Sequence, residues 1–532
     1  MSGLNHWIIA PVIVPLLAGG ICMVMAARSP RVAAWVSLAG TLAFALVAAV
    51  LLVQAGDGDV RTYLLGNWPA PFGITLALDR LSALMLVLTA LVALLALVYA
   101  LAGDDRRGRH FHTLFQFQLM GLAGAFLTAD LFNLFVFFEV LLCASYGLML
   151  HGEGRGHTAR LKATVHYLVF NLTGSALFLI AVALLYGITG TLNMADMALR
   201  LAALPTESAM LAQSAALMLL VVFAVKAALL PLYFWLPDAY ANATAPVAAL
   251  FAIMTKVGVY CITRTTTLLF SNAGDELHSV VAGVFLPALP ALALASLVLA
   301  VLGVLSARRL RGLIAYLVVA SAGTLLLAIG LSTTDSIAAG LFYLVHSTLT
   351  ASVWFLVADR IADVRECGDE LQHSVPMHPR VWAPMGVAFL ISAVAVAGMP
   401  PLAGFLGKAL LLDAASTTRY GTWVFVGVLL SSFGVLIALS RAGTTIFWRR
   451  GAQADAVLRS DATNRSKGAA IAFGLGLVIA TSIFAKPIGD YTNAAAVQLA
   501  DRRGYIDAVL KAQPVPPLYD IRREMRERGE NK

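Results

Sequence analysis

Three lysines, a glutamate and a histidine stand inside runs otherwise too apolar to lie anywhere but in a membrane. Lys226 and Lys256 share the stretch VVFAVKAALLPLYFWLPDAYANATAPVAALFAIMTKVGVYCITR, which begins at Val221. Glu139 sits near the middle of NLFVFFEVLLCASYGLML, His346 mid-way along LFYLVHSTLTASVWFLVAD, and Lys408 ends MPPLAGFLGK. A lysine at the bilayer centre costs about 2.5–3.5 kcal/mol on insertion scales, so such residues imply a use. Burial favours the neutral forms of lysine and glutamate, whereas pairing favours both charged forms. Glu139 is the one carboxylate mid-way along a span, which makes it the expected partner of Lys226. Titratable groups strung across the middle of a helix bundle form a proton conduit. Arg264 and Arg441 lie near the ends of their runs and are read as snorkelling to the headgroups. His166 and Asp359, also near ends, are read as structural.

The elements that hold these groups are helices, two of them interrupted. Pro231 has no N–H to offer the carbonyl of Ala227, and Pro237 follows it. Pro400 and Pro401, after Gly398, withhold donors from the carbonyls of Val396 and Ala397. Lys408 follows that break by about two turns, roughly 10 Å along the helix. A span needs about 20 apolar residues, and the chain offers fourteen candidates, from His6–Ala26 to Ala469–Ala485. The seventh, Met210–Leu236, and the twelfth, Val381–Leu412, are the broken ones. Each is the fourth member of a five-helix set. A repeat of an odd number of spans must insert its second copy upside down, and paired interrupted helices mark a transporter's site. The expected architecture is an all-α polytopic membrane protein of about fourteen helices with two inverted five-helix repeats. Its parts are an N-terminal three-helix segment (1–110), a first repeat (111–268), a second repeat (279–448), and a last helix with a charged tail (449–532).

Composition supports this class. The 532 residues are 60% hydrophobic and 12% charged, with a mean hydropathy of +0.84; soluble domains average about 25% charge. The net charge of +8 is therefore read loop by loop and not as a nucleic-acid signal. Arginine and lysine crowd the odd-numbered loops: Arg28 and Arg31, then Arg106, Arg107 and Arg109, then Arg155, Arg160 and Lys162, and so on to Arg449, Arg450, Arg459, Arg465 and Lys467. The positive-inside rule puts those loops in the cytoplasm and both termini outside. The four cysteines have no C-x-x-C spacing, and no phosphate-binding, dinucleotide or metal-spaced motif is present, so no cofactor or metal is expected. Energy must then enter through ion gradients or protein partners.

At these residues the chain resembles a known family. The membrane glutamate in FFEVLL, the lysine before PLYFWLPDAY, the TKVGVY segment, the eleventh-helix histidine and MPPLAGFLGK together are similar to the antiporter-like subunits of respiratory complex I, membrane-bound hydrogenases and Mrp-type (Pha, Mnh) cation:proton antiporters. The match covers roughly 111–448. FWLPDAY followed by ALFAIMTKVGVYCITR most resembles the D-type subunit of the Mrp branch, with Phe251 where other branches often carry histidine. The resemblance implies a proton-translocating subunit of a multisubunit Na+ or K+/H+ antiporter in the bacterial cytoplasmic membrane, serving pH and salt homeostasis. It implies Glu139 and Lys226 as a charge-coupled pair, Lys256 and His346 as a bridging relay, and Lys408 as the terminal proton site. It also implies assembly with a large A-type subunit and with small membrane subunits. The alternative is a proton-pumping subunit of complex I or a hydrogenase, which would carry the same relay. A stand-alone solute carrier is the third possibility, with Asn171 and Asn242 as its candidate substrate ligands.

Overall fold

The computed structural model describes residues 6–152, 156–271, 283, 285–453 and 464–514. Arg155, Arg459, the first residues of the expected ninth span and the tail beyond Pro514 lie outside them. Among the described residues, thirteen helices are long and apolar enough to cross a membrane. The fourteenth expected span is the shorter helix Phe111–Leu127, which at 1.5 Å per residue still covers about 25 Å. The two-residue turn expected after it is present: Asp130 caps the helix Leu131–Leu150 by accepting from the Asn133 amide at 2.7 Å.

The connections sort the chain into two faces. On one, the third, fifth, seventh, ninth, eleventh and thirteenth loops meet. Lys467 reaches Asp104 at 3.2 Å and both Asp359 and Asp363 at 3.3 Å. Asp359 also pairs with Arg311 and accepts from the Tyr99 hydroxyl. Arg309 holds Asp369 at 3.1 Å and Asn242, while Arg160 donates to the Asn242 carbonyl. Burial, and then the charge of Asp359, raise the Asp104 carboxyl above its usual range, with Lys467 opposing. Asp359 is thus structural, as its position near a helix end suggests.

The even-numbered loops form the other face. A hairpin pairs Arg61–Leu64 with Thr75–Leu78, and a short helix, Met194–Ala202, is capped by Asn193. Two further helices follow the last span, Ala485–Ala500 and Arg502–Leu510. Hydropathy does not announce them, because their residues are too polar to register as a span. They strap this face: Gln498 accepts from the Arg80 amide, Tyr491 donates to the Arg80 carbonyl, and Arg502 donates to the Leu268 carbonyl. Arg264 does not snorkel. It is buried and grips Asp79 with two contacts, at 2.6 and 2.9 Å, stacked near Tyr505. A fork-to-fork guanidinium–carboxylate pair satisfies both groups without headgroups. Arg441 is exposed, as snorkelling requires.

Since Phe111 enters from the first face and Leu289 from the second, helices four to eight and nine to thirteen thread the bundle in opposite senses. The most enclosed helices are Ala245–Leu268, Leu310–Gly330 and Thr334–Val364. They lie where the two halves meet. Many of their hydroxyls bond one turn back, Thr263 to Val259, Thr265 to Cys261 and Thr266 to Ile262, which satisfies them within the helix, while those of Thr350 and Ser352 stay buried without a partner. Peripheral helices such as Pro379–Ala397 and Arg465–Ile483 expose apolar faces suited to lipid.

Candidate functional site

The seventh helix stops at Ala227 and restarts at Trp235. Ala228 takes a left-handed conformation, φ 56°, and Pro231 lies within the gap. Pro237 does not break anything. It occupies the first turn of Trp235–Asn242, where its missing N–H would have had no partner in the helix. The indole of Trp235 turns back and donates to the Val225 carbonyl at 3.0 Å, and Ser296 of the ninth helix accepts from the Leu230 amide at 2.8 Å.

Lys226 sits one residue before that end. Its ammonium donates to Asn171 Oδ1 at 2.7 Å and lies 5.6 Å from the Phe138 ring centre. Glu139 forms no ion pair with it or with any other described residue. The glutamate is partly buried, and one carboxylate oxygen is enclosed without a hydrogen-bond partner. Opposite charge makes Glu139, the one mid-span carboxylate, the expected partner of Lys226. It does not point to Asn171, a neutral amide on the sixth helix, whose only signal in the sequence is an asparagine mid-way in an apolar run.

The eighth helix carries a turn at Ala252-Ile253, just ahead of Lys256. No proline or glycine announces it. The Tyr240 hydroxyl donates to the freed Phe251 carbonyl at 2.7 Å, and a side chain inserted into a helix ladder is a recognised cause of kinks. Lys256 is fully buried and donates to Ser321 Oγ at 2.9 Å. Gly258 lets this helix press on the end of the seventh: a Cβ there would meet the backbone of Phe223, Lys226 and Ala227. The two lysines thus sit on helices in backbone contact.

The second half carries the rest. His346 Nε2 faces the Ala395 carbonyl at 3.1 Å, while Nδ1 is buried and unpartnered. The twelfth helix ends at Ala397 and restarts at Ala403, with Pro400 and Pro401 in the gap and Gly398 at φ 75°. Lys408 does not stand 10 Å away from this gap. It reaches back and donates to Ala397 O at 2.9 Å, Val396 O at 3.4 Å and Ser432 Oγ at 2.9 Å. The two carbonyls that the prolines leave without donors are the two that the ammonium caps. Gly398 must lack a side chain here, because a Cβ would lie 2.7 Å from Lys408 Cδ.

Ser321, His346, Lys408 and Ser432 line one internal cavity with about 40 Å³ open to water centres. One water needs about 10–15 Å³ on that measure, so about two to four fit. Lys256, through Ser321, is therefore one hydroxyl away from a cavity large enough for water and shared by His346 and Lys408. Asn171 and Asn242 do not converge. The first binds Lys226 in the interior, and the second binds Arg160 and Arg309 at the loop face. Among the described residues there is no group of three or more metal-ligating side chains.

Residues 128–434 match the family described as NADH:quinone oxidoreductase/Mrp antiporter, transmembrane. The chain belongs to that family. It is 41% identical over 477 residues, 84% of the chain and 87% of the relative, to the D-type subunit of the probable K+/H+ antiporter of Rhizobium meliloti (strain 1021). It is 32% identical, over 96% of the chain and all of the relative, to the D-type subunit of the Na+/H+ antiporter of Bacillus subtilis (strain 168). Among solved structures it is similar to a chain of the Mrp complex from Dietzia sp. DQ12-45-1b, with a TM-score of 0.83 at 28% identity over 96% of this chain and all of that one. The chain is a multi-pass membrane protein of this antiporter family.

Proposed function

We propose that this chain is the proton-translocating D-type subunit of a multisubunit Na+ or K+/H+ antiporter, a secondary transporter component and not an enzyme. The reading places it in a bacterial cytoplasmic membrane, with the odd-loop face in the cytoplasm and both termini outside. Its partners are the other membrane subunits of such a complex. The observation that carries it is the line of lysines held by neutral partners: Lys226 on Asn171, Lys256 on Ser321, Lys408 on carbonyls and Ser432. Among the described residues no carboxylate locks any of the three, so each remains free to exchange a proton. The shared cavity lets water join the last two through His346. Glu139, with its unpartnered oxygen, supplies the countercharge that draws the Lys226 ammonium away from Asn171, and so couples the first site to the next.

In everted vesicles containing the assembled complex, Lys226→Ala is expected to abolish antiport while assembly persists. Lys226→Arg should fail as well, since an arginine keeps its proton in a protein. Near-native exchange by the arginine variant sinks the relay role. Glu139→Gln should impair exchange strongly and Glu139→Asp less; full activity of the glutamine variant removes Glu139 from the mechanism.

A further inference from the structure

Away from the relay, on the odd-loop face, the first and third loops enclose a groove of about 630 Å³. Arg28, Arg31 and Arg106 line it, with Trp35, Leu38 and Leu101 beneath. All three arginines are exposed, and none of their guanidinium groups donates a hydrogen bond or forms an ion pair among the described residues. Elsewhere on this face Arg160, Arg309, Arg311 and Lys467 are engaged, whereas the exposed Arg308, Arg449 and Arg450 line no such groove. The one carboxylate in the lining, Asp105, does not neutralise the trio: one oxygen faces His112 at 3.3 Å and the other is closed to solvent.

We propose that this groove binds the headgroup of an anionic phospholipid. Guanidinium forks match phosphate oxygens in pairs, and basic pockets between transmembrane helices at the membrane surface suit acidic headgroups. The apolar part says why the ligand is a lipid and not a soluble anion. Below Arg31 the helix Pro30–Ala55 exposes Trp35 (72%), Leu42, Leu46 and Val53 along one side, which gives an acyl chain a continuous track starting at the arginines. Trp35 stands at the headgroup level, where amphipathic rings collect. The bound lipid fills the notch between the first two helices and the core.

The test uses the assembled complex reconstituted in phosphatidylcholine with rising mole fractions of acyl-brominated phosphatidylglycerol. Bromine quenches nearby tryptophans, and the difference between wild type and Trp35→Phe isolates the Trp35 signal. That signal should half-saturate at a severalfold lower fraction of brominated phosphatidylglycerol than of brominated phosphatidylcholine. The variant Arg28→Gln/Arg31→Gln/Arg106→Gln should lose the preference, and Arg449→Gln/Arg450→Gln, on the same face, should keep it. If the triple variant does not assemble, Arg106→Gln alone should shift the curve in the same direction. Equal curves for the two lipids, an unchanged triple or single variant, or loss in both multiple variants overturns the proposal. So does reversal by inorganic phosphate, which means a soluble-anion site, or absence of any Trp35-dependent quenching, which means that a neighbouring protein of the complex covers the groove.

Discussion

The two interrupted helices suffer the same lesion and are repaired differently. In the seventh, the Val225 carbonyl accepts from the Ala228 amide at 3.2 Å and from the indole of Trp235 at 3.0 Å, donors that never titrate. Lys226 lies before the gap and points elsewhere, to Asn171. In the twelfth, the carbonyls at Val396 and Ala397 are closed by Lys408 itself, reaching back from beyond the gap. The first break therefore keeps its shape whether or not its lysine carries a proton. The cap of the second weakens when the Lys408 ammonium gives its proton up, because the neutral amine has two weaker N–H donors for three acceptors. In the proposed relay the two lysines would have different duties. Lys226 would change charge beside a fixed turn, and Lys408 would couple its charge to the backbone at the mouth of its half-path.

Replacing each lysine by alanine gives the largest test of that difference. Both variants should lose antiport, but they should not be equally stable. Lys408→Ala uncovers two carbonyls, and a buried acceptor without a donor costs about 1–3 kcal/mol. Lys226→Ala uncovers only the Asn171 amide oxygen. The apparent melting temperature of the purified complex should therefore fall further for Lys408→Ala. Equal falls would mean that the Lys408 contacts contribute no cap.

Pro400→Ala with Pro401→Ala restores the two missing N–H donors. Val396 and Ala397 then bond within the helix, Lys408 is released, and the mouth of the cavity dries. Exchange should slow severalfold with the protein folded. A double variant that transports at the native rate makes the break packing geometry alone. Gly398→Ala attacks the same place from the other side, through a Cβ that collides with Lys408, and should slow exchange in the same assay.

Smaller again is Trp235→Phe. It removes one of the two donors to Val225 while keeping most of the ring, and the Ala228 amide stays on that carbonyl, so stability should fall by about 0.5–1.5 kcal/mol. Because the cap does not titrate, the pH profile of exchange should keep its shape. A shifted profile would place Trp235 in the proton path.

Much of this arrangement is legible in the chain, and the illegible part has a common cause. Hydropathy locates the spans because bilayer thickness fixes their length, and Pro231 and Pro400-Pro401 mark breaks because proline withholds a donor. The turn before Lys256 carries no such mark. It depends on Tyr240, eleven residues earlier, whose hydroxyl takes the Phe251 carbonyl. The Asn171 partner of Lys226 lies 55 residues away on another helix, and the Trp235 and Lys408 caps fold back across irregular backbone. Periodicity and composition report on one helix at a time. They place a charged residue at membrane depth without saying which neutral group meets it. Pairing by opposite charge then selects Glu139 for Lys226, where the geometry uses an amide.

The smallest expected effect falls on Ala228. Its φ of 56° puts a Cβ in the left-handed region, at a cost of roughly 1–2 kcal/mol for an L-residue. Its counterpart in the twelfth helix, Gly398 at φ 75°, carries no such strain. Ala228→Gly removes that strain in the folded state but adds freedom to the unfolded chain, an opposing effect of about 0.4–1 kcal/mol. The net change should be neutral to about 1 kcal/mol stabilising, a shift of at most a few degrees in melting temperature, with antiport unchanged. Both halves of that outcome matter to the contrast between the breaks. If the first break is a fixed turn held by Trp235, easing its one strained residue leaves Lys226 on Asn171 and the exchange rate where they were. A loss of antiport with stability retained would show that the strain at Ala228 is part of how Lys226 moves, and the first break would then be as mobile as the second.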